Sequence, residues 1–204
     1  MKNWLALTVG IAFVMVSGGV RADDADTAHE LIANSCSNCH GKTGESTGPT
    51  FPRLAGQTEE YIEAQLKAFR DKTRADPHAQ AYMWGMAGNP KMTDGVIEEI
   101  SKFFSKQTPV KGDPAADTML SDKGKQLFLH GAAERGVPEC AQCHGDKAAG
   151  KDTIPRLAGQ RKEYLASQLE AFQLNTRENP LMHENASKLT VEDIDALSTY
   201  LASQ

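Results

Sequence analysis

Apolar side chains along this chain return every three or four positions, which places them on one face of a helix. Tyr61, Ile62, Leu66 and Phe69 form one such stripe, and Tyr164, Leu165, Leu169 and Phe172 form its echo. Val96, Ile97, Ile100, Phe103 and Phe104 make another, echoed by Ile194, Leu197, Tyr200 and Leu201. No segment alternates apolar and polar residues as a half-buried strand would, so the pattern predicts an all-α protein. Thr190-x-x-Asp193 reads as a capping start for the last helix, and Thr93 stands at the matching place in the first half. These stripes read as packing surfaces.

The echoes extend to identity. Pro52-Arg53-Leu54-Ala55-Gly56-Gln57 recurs as Pro155-Arg156-Leu157-Ala158-Gly159-Gln160, and Tyr61, Gln65, Leu66, Ala68 and Phe69 return as Tyr164, Gln168, Leu169, Ala171 and Phe172. The chain is therefore an internal duplication, with length differences confined to the connections, where loops absorb them. Two prolines and a glycine in Thr108-Pro109-Val110-Lys111-Gly112-Asp113-Pro114 break any periodicity. We expect a first domain over 23–108, a linker over 109–114 and a second domain over 115–204. Each half is small enough that an apolar core alone is thin, and a bound cofactor would complete it. Aligning Leu31 with Leu127 gives the second half eight extra residues before its cysteines, within the loop His130 to Glu139, which has the place of a surface insertion or a partner surface.

Met1 to Ala22 has the form of an export signal: Lys2, a mostly apolar run from Leu5 to Val16, then Val20-Arg21-Ala22, with cleavage expected after Ala22. The alternative, an uncleaved anchor, would need a longer apolar run to cross a bilayer. Removing the segment takes away two cations and no acid, so the whole-chain charge of −5 becomes −7. An acidic protein without a basic run is no nucleic-acid binder, and any association with a membrane would come through partners. Long-range steering toward a basic docking patch is what such a surface favours.

All four cysteines lie in two motifs, Cys36-Ser37-Asn38-Cys39-His40 and Cys140-Ala141-Gln142-Cys143-His144. C-x-x-C-H is the attachment pattern of c-type haem. Residues three and four apart share a helical face, so Cys36 with Cys39, and Cys140 with Cys143, can each bond the two vinyl groups of one porphyrin. His40 and His144 then reach the iron. A redox pair would not need the histidine, and zinc would need a fourth ligand in each copy. Two covalent haem c groups are expected.

The sixth ligand separates electron transfer from chemistry at the iron, because a methionine sulfur closes the site and raises the potential. After His144 the only methionine is Met182. In the first half Met83, Met86 and Met92 compete, and the duplication favours Met83: past the shared Thr-Arg-x-x-Pro, Met83-x-x-x-Ala87 matches Met182-x-x-x-Ala186, with His78 to Ala81 inserted in the first copy. Met86 is the alternative; Met92 aligns with Leu189 and reads as core. His78 and His183 offer the competing bis-histidine ligation. Pro52 and Pro155 follow the haem histidines by 12 and 11 residues, near enough for a backbone carbonyl to orient each imidazole, and Arg53 and Arg156 are candidates for the haem propionates.

Both C-x-x-C-H-G motifs, both PRLAGQ segments, the repeated Tyr-x-x-x-Gln-Leu-x-x-Phe helices and the two methionine loops together make a chain that resembles the dihaem cytochrome c4 family. The resemblance implies two class I cytochrome domains packed face to face, histidine and methionine on each iron, and a periplasmic electron carrier rather than an enzyme. Its redox partners would be an electron donor complex and a terminal oxidase of a respiratory chain. Two other readings stay open: a dihaem subunit of a dehydrogenase, such as a sulfide-oxidising flavocytochrome, and a dihaem peroxidase.

Overall fold

The computed structural model describes residues 22–204. The expected export segment lies outside the described residues except for Ala22. Among the described residues there is no strand; two isolated bridges, Ala132 with Val137 and Lys151 with Ile154, pin loops. No helix among them is long and apolar enough to cross a membrane.

The first half runs α1 (Ala22–Leu31), a π-helical turn (Ile32–Cys36), α2 (Ser37–His40), α3 (Glu59–Arg70), a second π turn (Ala79–Met83), α4 (Trp84–Ala87) and α5 (Asp94–Ser105). The second runs α6 (Thr118–His130), α7 (Ala141–His144), α8 (Lys162–Gln173), α9 (Pro180–Ala186) and α10 (Val191–Ala202), with a single 3₁₀ turn at Ala133–Arg135. In each half the last helix is the hub. The α5 helix packs on α1 and α3, and α10 packs on α6 and α8. The predicted stripes become these contacts: Ile62, Val96, Ile97, Ile100 and Phe104 join Leu31 in one core, and Leu165, Phe172, Ile194, Leu197 and Leu201 join Leu127 and Phe128 in the other. Phe104 and Phe128 are fully buried, a contribution of about 1.5–3 kcal/mol each.

Short polar side chains set where the helices begin. Thr190 and Asp193 form a reciprocal capping box on α10, the threonine accepting from Asp193 N (3.1 Å) and the carboxylate from Thr190 N (2.9 Å). Thr93 accepts from Val96 N (3.2 Å) and so caps α5; each cap is worth about 1 kcal/mol. The extra loop of the second half is fastened to that same α10 start, because Arg135 pairs with Asp193 (Nη2 to Oδ1, 3.2 Å). The PRLAGQ segments are tied to the ends of the hub helices: Gly56 N donates to Phe104 O (3.0 Å) and Gly159 N to Leu201 O (2.8 Å). Both segments also sit where the two halves meet, since Arg53 N and Arg156 N donate to Gln160 and Gln57 of the opposite half.

Candidate haem sites and the interface between them

Each cysteine motif forms a single helical turn, Cys36 leading into α2 and Cys140 into α7. The following glycines, Gly41 and Gly145, adopt φ of +81° and +77°, a left-handed conformation that ends the turn just past the histidine. His40 Nδ1 lies 2.9 Å from the Pro52 carbonyl, and His144 Nδ1 lies 3.1 Å from the Pro155 carbonyl. With that carbonyl as acceptor, Nδ1 carries the proton and Nε2 is left with a free lone pair, the tautomer a metal ligand needs. Burial lowers the pKa of both imidazoles, opposed only by the carbonyl contact, so both rings are neutral. Burial also pushes the Cys36 and Cys140 thiols up to about 11.

In the first half these groups open on a mostly apolar cavity of about 220 Å³ that Cys36, Cys39 and His40 share with Met83, Met86 and His78. The two methionines differ. Met83 packs against the small cluster of Phe69, Ala79 and Ala87, whereas Met86 is 53% exposed. Met92 is buried in the core, as is its counterpart Leu189. In the second half Cys140 and Met182 pack against the same core cluster. His183 Nδ1 lies 2.8 Å from the Phe172 carbonyl.

The arginines of the PRLAGQ segments lie at the boundary between the halves. Arg53 Nη1 donates to the Gly159 carbonyl, and Arg53 and Arg156 both border the first cavity. Arg53 Nε and Arg161 Nε are buried with no hydrogen-bond partner among the described residues. Buried guanidinium donors without acceptors call for an anion. Apolar walls, paired thiols, a neutral imidazole with a free lone pair and the orphaned Arg53 Nε together fit a haem with its propionate edge at the boundary.

The boundary itself carries side chains whose role the sequence did not disclose. Gln57 reaches across to the backbone of Arg156, accepting from its N–H (2.7 Å) and donating to its carbonyl (2.9 Å); Gln160 does the same to Arg53, at 2.7 and 2.9 Å. Deeper in, the buried Arg74 and Arg177 cross over one another's halves. Arg74 donates to Gln65 (2.8 Å) and Gln168 (2.7 Å), and Arg177 to Gln168 (2.6 Å) and Gln65 (2.9 Å). Arg177 also donates to Tyr61 Oη (2.9 Å), mirrored more loosely by Arg74 and Tyr164 (3.5 Å). Burial raises the Tyr61 phenol, but the charges of Arg177 and Arg74 outweigh it and bring its pKa below the usual value. The halves are thus related by an approximate twofold axis through a polar network in which Arg74, Arg177 and Gln168 are buried and Tyr61, Gln65 and Tyr164 are half-buried. A signal existed: identical polar residues recur at positions where helix amphipathicity asks only for a polar side chain.

The fold and its paired sites are those of a c-type cytochrome, and the chain belongs to the cytochrome c family, whose model matches residues 25–107 and again 121–204. The duplication narrows this to the dihaem cytochrome c4 type. Cytochrome c4 of Stutzerimonas stutzeri is 35% identical, over 97% of this chain and 95% of its own. The solved cytochrome c4 structure from Acidithiobacillus ferrooxidans superposes with a TM-score of 0.77 at 38% identity, covering 83% of this chain and 98% of that one. A protein of Thiomonas intermedia named thiosulfate dehydrogenase electron acceptor is 33% identical over 84% of this chain and 79% of its own. The protein is an electron-carrying cytochrome with two covalent haem c groups, and redox proteins are its partners.

Proposed function

We propose that this protein is a periplasmic carrier, exported and cleaved after Ala22, which relays electrons through a respiratory chain toward a terminal oxidase and does no substrate chemistry of its own. Its two carriers are residues 23–108 and 115–204, joined by 109–114. Cys36 and Cys39 would hold one haem and Cys140 and Cys143 the other, with His40 and Met83, and His144 and Met182, as the residues that would bind the irons. When bound, haem supplies one-electron exchange between ferric and ferrous iron. The chain's own residues orient and close: the Pro52 and Pro155 carbonyls fix the imidazoles, and Arg53 and Arg156 offer charge to the propionates.

The observation that carries this reading is the convergence, in the first half, of both thiols, the free nitrogen of His40 and the packed Met83 on one apolar cavity. Packing of the partly buried Met83 against Phe69 and Ala87, beside the half-exposed Met86, favours Met83 as the ligand. Methionine on both irons leaves no position for peroxide, which argues against a peroxidase. A second reading, the dedicated acceptor of a dehydrogenase, is favoured by the Thiomonas relative.

The test is spectroscopic. Oxidised protein should be low-spin at both irons with the methionine–sulfur charge-transfer band. Met182→Ala and Met83→Ala should each open one iron to cyanide and lower its potential, and Met86→Ala should leave both closed. Opening of the first haem by Met86→Ala would overturn the assignment of Met83. Rapid oxidation by a membrane oxidase separates the carrier from a dehydrogenase subunit, which would instead be reduced by its own enzyme and co-purify with it.

A further inference from the structure

The carbonyl that meets each haem histidine and the N–H that meets a glutamine of the other half belong to one peptide group. Pro155 O lies 3.1 Å from His144 Nδ1, and the same amide, between Pro155 and Arg156, donates through Arg156 N to Gln57 Oε1 at 2.7 Å. The second such group joins His40 to Gln160: Pro52 O lies 2.9 Å from His40 Nδ1, and Arg53 N donates to Gln160 Oε1 at 2.7 Å. Both glutamines are buried, and their other bonds fix which way each amide points. Gln57 Oε1 also accepts from Thr58 N (3.0 Å) while its Nε2 donates to Arg156 O (2.9 Å); Gln160 Oε1 also accepts from Arg161 N (2.9 Å) while its Nε2 donates to Arg53 O (2.9 Å). A flipped amide would set an NH2 group against two N–H donors and an oxygen against a carbonyl.

We infer that Gln57 and Gln160 are positioning residues that act across the boundary: Gln57 of the first half tunes the second half's iron ligand, His144, and Gln160 of the second half tunes His40, each through a single peptide group. Donation by the peptide N–H polarises the group and makes its carbonyl a better acceptor. The carbonyl then draws harder on the imidazole Nδ1–H and raises the basicity of Nε2, the nitrogen that faces iron. A more basic ligand favours the ferric state, so each glutamine lowers the potential of the haem in the half opposite its own. Each histidine is thereby tuned only while the two halves are docked. Strengthening of about 10–30% per bond in such a chain sets the expected effect at roughly twofold in the ferric-to-ferrous ratio at a fixed solution potential, about 18 mV for a one-electron couple.

The inference rests on the reading of His40 and His144 as iron ligands, so the low-spin spectrum and the methionine band are checked first in every variant; their loss would indict the ligation and not the glutamines. Both glutamines border the first cavity, so potentials alone would mix direct contact with tuning. The histidine proton separates the two. The experiment is NMR of the full dihaem protein in the ferrous state, with the Nδ1–H resonances of His40 and His144 assigned, followed by a redox titration of each haem. Gln57→Ala should move the His144 proton upfield, leave that of His40 in place and raise the second haem's potential by the equivalent of about twofold. Gln160→Ala should do the converse, moving His40 and the first haem. Gln57→Glu keeps the acceptor and should hold the His144 proton at or beyond its unaltered position. Movement of the histidine in the variant's own half, equal movement of both, or no movement overturns the inference, as does Gln57→Glu behaving like Gln57→Ala. Should one alanine variant lose the low-spin spectrum, the other decides alone by the same criterion.

Discussion

Replacing Gln57 by alanine should loosen one half from the other while leaving both haems in place. The side chain is nearly buried and makes two bonds across the boundary, both to the Arg156 backbone. Across the boundary its removal strands one N–H and one C=O. At about 1 kcal/mol for each part-buried group left unpaired, the loss is about 2 kcal/mol. Gln57→Glu should cost roughly half of that, because a carboxylate still accepts from Arg156 N but cannot donate to its carbonyl. With a urea m-value of about 2 kcal/mol/M, a typical figure for small proteins, the midpoint should fall by about 1 M in Gln57→Ala. The assay is urea unfolding followed at the Soret band, with the methionine charge-transfer band as a control for the ligation. Gln160→Ala should behave alike, since its bonds to Arg53 are the mirror image. A shift below about 0.2 M in both variants would refute the reasoning, showing that water replaces these glutamines without loss.

Two further outcomes follow from the second half. Gly124→Ala should lower the thermal midpoint by the equivalent of about 1–3 kcal/mol, because the new Cβ would stand 2.0 Å from the Ala196 carbonyl oxygen where α6 crosses α10; a neutral melt in circular dichroism would show that the helices yield. For Asp193, burial raises the carboxyl, but the hydrogen bonds from Arg135 and Thr190 outweigh it and hold its pKa below the ordinary value. A lowered folded pKa means stability that is present above about pH 4 and lost as pH falls through the folded value. Between pH 5 and 2.5 the melting temperature of Asp193→Asn should therefore fall less steeply than that of the unaltered protein, by about 1 kcal/mol over the range; parallel curves would count against the cap and clip.

The helices were legible because their apolar stripes face one hub helix in each half, and a period of 3.6 residues is a property of local sequence. The cysteine and histidine positions were legible for a similar reason: attachment chemistry confines them to one helical turn. What stayed hidden was the boundary. Tyr61 and Tyr164 sit within apolar stripes and read as packing, yet both are half-buried at the boundary, with their hydroxyls turned to guanidiniums from the opposite half. A polar group satisfied only by a residue 90 or more positions away leaves no local periodicity. The two π turns of the first half, at Ile32–Cys36 and Ala79–Met83, were also unread. They have no counterpart in the second half, and the later one spans the end of the inserted residues before Met83.

The reciprocal reach of Gln57 and Gln160 has a historical implication. A surface that meets its own copy about a twofold axis is the surface of a symmetric dimer, so the boundary has the form that a single-haem ancestor would have used to pair with itself. Such an ancestor could not have told its two irons apart, since any change in one subunit appears in both. Joining the copies in one polypeptide removed that constraint. Positions such as 76 and 179 are now free to differ, Asp in the first half and Asn in the second, and a contact of the kind two equal partners make no longer has to be symmetric.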